Sequence, residues 1–133
     1  MIMDRVEKIL RIVAKEISKS SSHYKEWTEH EMVMIDIARW GESSLRWGKN
    51  NEGMKEVDRF IKLFDPIKSG GIVYRYPTKG GGERAQLRLD EDTRMALMAR
   101  FQKWERRNWG PVSPHPYTTR VEWYRQDIIL RFS

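Results

Sequence analysis

Cysteine is absent from this chain of 133 residues. That excludes disulfides, thiolate zinc sites and cysteine nucleophiles, and leaves a cytoplasmic location as the expectation. No apolar run approaches the ~20 residues that a membrane-spanning helix needs. The first residues alternate charged with apolar side chains instead of forming a signal-peptide core, so no membrane partner is expected. The three histidines, His23, His30 and His115, have no metal-ligand spacing, and the run His30-Glu31-Met32-Val33-Met34 lacks the second histidine of a zinc-protease helix. No spacing assembles a nucleophile, a base and an orienting acid. The three consecutive glycines Gly80, Gly81 and Gly82 do not open a helix and so do not form a phosphate-cradling loop. No cofactor is expected, and enzymatic activity ranks third among the function classes.

What the chain does contain is aromatic and basic. Six tryptophans, with 39% hydrophobic and 33% charged residues, make it too apolar for a disordered chain and predict one folded domain over residues 1–133. Residues 1–67 hold twelve Lys or Arg against twelve Asp or Glu, whereas residues 68–133 hold thirteen against seven. The whole excess of +6 therefore lies in the second half, which points to a polyanionic partner.

That half begins with Gly71–Leu89, the stretch that reads as a β-hairpin. Ile72, Tyr74 and Tyr76 alternate with Val73 and Arg75 in the first arm, and Ala85, Leu87 and Leu89 alternate with Arg84, Gln86 and Arg88 in the second. The alternation predicts one apolar face and one basic face. The Gly-rich connection carries Lys79 in a wide loop. A two-stranded hairpin is marginal alone, so its apolar face must rest on the flanking helices.

Helical spacing of Val6, Ile9, Leu10, Val13, Ala14 and Ile17 predicts a first helix over 3–19. Thr28-Glu29-His30-Glu31 is a capping box that starts a second. This helix either runs through Gly41 or breaks there into two short helices, which would carry the approximate tandem around Trp40-Gly41 and Trp47-Gly48. A further helix is expected over Glu52–Phe64, ended by Asp65-Pro66. Asp90, Glu91 and Asp92 open the next, which runs to about Asn108 and ends in basic residues. Trp109–Tyr117 holds three of the five prolines and reads as an extended connector. A second capping box at Thr119–Glu122 predicts a short C-terminal helix, with a strand over Ile128–Leu130 as the alternative.

The order of these elements resembles winged-helix domains, with Gly48–Asn51 as the helix-turn-helix connection and Lys55, Arg59 and Lys62 on one helix face. The segment Ile37–Asn50, IARWGESSLRWGKN, resembles the Arg-Trp-Gly-bearing N-terminal segments of phage late-gene antiterminators over about a tenth of the chain. GIVYRY is similar to the first half of a GIY-YIG nuclease motif, whose second half is not matched by Ala85–Leu89.

These readings converge on an α+β fold, mostly helical with about five helices and one central β-hairpin. The expected function is non-catalytic binding of DNA or RNA, with transcription regulation as one subclass. Arg75, Lys79, Arg84 and Arg88 are the first-line contacts, and Arg100, Lys103, Arg106 and Arg107 the second. Trp40, Trp47, Trp104, Trp109 and Trp123 are candidate stacking platforms. The competing expectation is a protein-interaction or assembly component of a larger complex, viral for example.

Overall fold

A computed structural model describes residues 2–19, 23–47, 59, 62–64, 72–77 and 83–133. In chain order the elements are α1 (Ile2–Ile17), a 3-10 turn (Tyr24–Glu26), α2 (Glu29–Trp40), β1 (Glu42–Trp47), β2 (Ile72–Pro77), β3 (Glu83–Arg88), α3 (Glu91–Trp109) and α4 (Tyr117–Phe132). The fold is α+β and mostly helical, as the periodicity predicts. Of the helix expected over 52–64, Arg59 and residues 62–64 are helical. The remainder of that helix, the 48–51 connection, Lys55 and Lys79 lie outside the described residues.

Every member of the α1 stripe from Val6 to Ile17 is buried, and α1 packs against α4, α2 and α3. The 3.6-residue period places these side chains on one side, and that side is the wall of the core. Thr28 caps α2 as expected, its hydroxyl accepting from the Glu31 amide at 3.2 Å. The reciprocal half of the capping box is not made. The Glu31 carboxylate instead turns inward, where Arg125 Nη2 donates to it at 3.1 Å. Arg125 also donates to the carbonyl of Ile17 at 3.2 Å, and its guanidinium lies 5.5 Å from the centre of the Trp27 ring. Arg125 and Glu31 each expose only 4% of their side chains, so α4 is joined to the start of α2 by a buried ion pair and to the end of α1 by a hydrogen bond.

The second helix neither continues through Gly41 nor restarts after it. Gly41 adopts φ +71°, its amide donates to the Ile37 carbonyl at 2.9 Å, and the chain leaves as strand β1. Glycine is required for two reasons. The left-handed conformation is costly for other residues, and a Cβ there would stand 2.7 Å from the Cα of Arg94 on α3. Residues 42–47, expected to be helical, pair instead with β3. The sheet is thus three-stranded and antiparallel, in the order β1-β3-β2, and the hairpin has a third strand on its second arm.

The register also revises the faces of the hairpin. Val73 and Ser43 both stand opposite Leu87, and Ser43 and Leu87 are buried. Arg75 stands opposite Ala85 in that rank, while Ile72, Tyr74 and Tyr76 stand opposite Arg88, Gln86 and Arg84. Arg75 and Arg84 therefore occupy positions of opposite parity, not one basic face. The two arms were matched by composition, whereas pairing is set by the connection, and a one-residue offset exchanges the faces.

α4 is longer than expected and begins earlier. Pro116, with its restrained φ, occupies the N-cap and makes no side-chain cap bond. Thr119 thus falls inside the first turn, and Ile128–Leu130 is helical. Among the described residues, no helix is long and apolar enough to cross a membrane.

Two substitutions test these joints. Gly41→Ala should lower the unfolding free energy by about 2 kcal/mol or more, from left-handed strain and the clash with Arg94, read as a drop in the urea midpoint. Arg125→Met leaves Glu31 buried without its charge partner and should cost about 3–5 kcal/mol, much of which the double variant Glu31→Leu/Arg125→Met should restore.

Candidate nucleic-acid interface

Helix α3 carries the second-line cations, and its local sequence explains how they are displayed. Asp90 caps its start: the amide and hydroxyl of Thr93 donate to the Asp90 carboxylate at 3.1 and 2.7 Å, and Arg5 does so at 3.2 Å. Burial alone would raise the pKa of Asp90, but these donors and the Arg5 charge outweigh it and hold the group below its ordinary value. Thr93, Leu97, Phe101 and Trp104 form the buried stripe. Lys103, Arg106 and Arg107 lie off this stripe in the last turns and are exposed. Gly110, at φ +69°, ends the helix with its amide on the Arg106 carbonyl.

The cations of the sequence-derived set divide by what they touch. Arg100 is half-buried. It donates to the Tyr124 hydroxyl at 3.2 Å and lies 5.1 Å from the centre of the Phe132 ring. Burial raises the pKa of Tyr124, so the phenol keeps its proton and donates in turn to the Ala38 carbonyl at 3.3 Å. Arg100 is thus part of the packing between α3 and α4. Arg88 is exposed but lies 3.6 Å from Glu42, a carboxylate it shares with Arg94 at 3.3 Å. Lys103, Arg106 and Arg107 make no hydrogen bond or ion pair among the described residues. They are the free cations among those members of the set whose side chains are described.

Nor does Arg88 share a patch with the cations at the end of α3. Arg88 ends β3 just before α3 begins, whereas Arg106 and Arg107 occupy its last turn, about 25 Å further at 1.5 Å per residue. The sequence groups them by proximity in the chain, and a straight helix separates them.

A cluster of rings stands beside one of these cations, Arg106. Trp109, three residues after Arg106 and so on the same side of the helix, lies 5.5 Å from His115 and 5.7 Å from Trp123, and His115 lies 5.7 Å from Trp123, centre to centre. Trp104 backs this ledge from the core, its ring 4.9 Å from Trp109. Trp123 remains 50% exposed. The connector from Gly110 to Pro116 makes the arrangement by reversing the chain, so that Trp123 on α4 returns alongside Trp109. Sequence reasoning named both tryptophans as platforms but overlooked His115, weighed only as a metal ligand. The available signal was its place in the Pro-rich run between them.

The other named tryptophans are differently placed. Trp104 is buried. Trp40 stacks on Tyr117 at 6.4 Å, and the Arg39 guanidinium lies about 5 Å from both rings. Of the side chain of Trp47 nothing is described. No group of three or more His, Cys, Asp or Glu that could hold a metal ion occurs among the described residues. Compared with known proteins, the chain matches no family model, no curated protein and no solved structure.

The division between packing and free cations has a direct check. Arg100→Ala should cost about 1–2 kcal/mol through loss of its hydrogen bond and ring contact. Arg106→Ala should stay within about 0.5 kcal/mol of the parent. Urea unfolding of the two variants measures the difference.

Proposed function

We propose that the protein binds single-stranded nucleic acid, DNA or RNA, at the C-terminal end of α3. The observation that carries this reading is the half-exposed Trp123 ring, set in a ledge with Trp109 and His115 beside the unpaired Arg106. Binding a single strand calls for cations that follow the phosphates and aromatic faces on which unpaired bases stack, with little need to read base edges. Lys103, Arg106 and Arg107 supply the charge, and Trp123 supplies the face. Arg75, Lys79, Arg84 and Arg88 are further candidate contacts; of these Arg88 stands just before α3 begins, and a strand reaching it from Arg106 would have to span that helix. A regulatory role in transcription is compatible with such binding.

A second reading, assembly with another protein, rests on a separate observation. Trp123 and Leu130, seven residues apart on α4, are 50% and 82% exposed, an apolar stripe at helical spacing of the kind that interfaces cover.

The two readings part in one titration. Fluorescence anisotropy of labelled single-stranded DNA, single-stranded RNA and duplex DNA is measured at several salt concentrations. Single strands should bind better than duplex, with a slope of log affinity against log salt of about −2, from three phosphate contacts at about −0.7 each. Trp123→Ala should weaken binding by about tenfold, the worth of one stacked base, and Arg106→Glu should weaken it further. Absence of binding at low salt would sink the nucleic-acid reading and leave the apolar stripe of α4 as the leading surface. Binding unaffected by Trp123→Ala would remove the aromatic ledge from it.

A further inference from the structure

A groove of about 690 Å³ runs between α1, α3 and the end of α4; of the residues of the aromatic ledge it includes Trp104 but not Trp109, His115 or Trp123. Its floor is made by Val6, Leu10, Ala96, Trp104 and Phe132, all apolar. The small side chains of Ala96 and Ala99 leave the space that longer residues would fill. The volume falls within the ~300–1,000 Å³ typical of small-molecule sites.

The charges around this floor are unequal in availability. Glu7 is occupied by Arg11 at 2.7 Å, and Oδ1 of Asp127 by Arg131 at 2.9 Å, while Oδ2 of Asp127 is buried without a hydrogen-bond partner. Arg100 is held on Tyr124 and Phe132. Lys103 and Arg107, also on the rim, are exposed and have no hydrogen bond or ion pair among the described residues. They are four residues apart, so their heads stand one turn from each other on the same face, a separation at which both can reach one anionic group. Nucleic-acid binding would use their charge but leaves the apolar trough beside them unexplained.

We infer that this groove binds an amphiphilic anion, an aliphatic chain ending in a carboxylate, with the chain along the floor and the head between Lys103 and Arg107. Charge complementarity selects the anionic end, and the apolar floor selects the tail. The site shares Lys103 and Arg107 with the nucleic-acid reading but not Arg106 or Trp123, which do not line it.

The test uses dodecanoate, below its micellar concentration, titrated into the full chain by calorimetry and followed by amide chemical shifts. Dodecanoate should bind saturably at one equivalent. Dodecanol and dodecyltrimethylammonium should bind more weakly by about tenfold or more, the size of one charge-assisted hydrogen bond. Shifts should concentrate at Ala96–Arg107 and Phe132. Lys103→Gln/Arg107→Gln should reduce the preference over dodecanol, and Ala99→Phe should block the groove and abolish binding of both. All three positions are exposed, and circular dichroism of each variant should match that of the parent. Equal affinity for dodecanol, shifts scattered away from the groove, or binding that survives Ala99→Phe would each overturn the proposal. Loss of single-strand binding in Arg106→Glu with dodecanoate binding intact would show that the two sites stand or fall separately.

Discussion

The ion pair between Arg125 and Glu31 is the constraint on which the helical layer depends. A guanidinium and a carboxylate that are both almost wholly buried survive only if every charge is matched, because each carries a desolvation cost of several kcal/mol. Arg125 meets that condition by reaching three elements at once: the Ile17 carbonyl at the end of α1, the Glu31 carboxylate in the first turn of α2, and the Trp27 ring between them. Sliding α4 by a turn would break all three. The pair therefore fixes the position of α4, and with it the return of Trp123 to the side of Trp109.

A second buried carboxylate repeats the pattern near the same end of α1. Glu16 receives Lys19 at 2.9 Å, and His30 and Arg59 at 3.0 Å. Its burial would raise the pKa, but the bonds and charges of Lys19 and His30 outweigh that and lower it. The lowered folded-state value means that its contribution to stability is present above its ordinary range and is lost as pH falls through the folded value. The buried polar groups thus tie helices together, while the cations on the last turns of α3 tie nothing and remain available to a ligand.

Much of this was legible in the sequence where a regularity of one element decided the outcome. The α1 stripe, the Thr28 cap, the acidic start of α3 and the Pro-rich connector each follow from local geometry or from a single residue's backbone preference. Glu42–Trp47 was not legible, because Glu-Ser-Ser-Leu-Arg-Trp has no strand alternation of its own and takes its conformation from pairing with β3. The basic face of the hairpin failed for a related reason. Both arms are strands, as their alternation predicts, but the register between arms is a relation that neither arm contains.

The same distinction holds for the candidate sites. From its sequence alone the chain determined an excess of cations in its second half, their accumulation at the end of α3, and the wealth of aromatics around the connector, since composition and helical spacing are properties of contiguous residues. Only the tertiary structure decided that Arg100 is spent on Tyr124 and Phe132, that Arg88 shares Glu42, and that Lys103, Arg106 and Arg107 remain unpaired. It also decided that His115 and Trp123 join Trp109, and that a groove opens between α1, α3 and α4. The physical reason is that a charge or a ring is available to a partner only if packing leaves it so, and packing brings together residues that lie far apart along the chain.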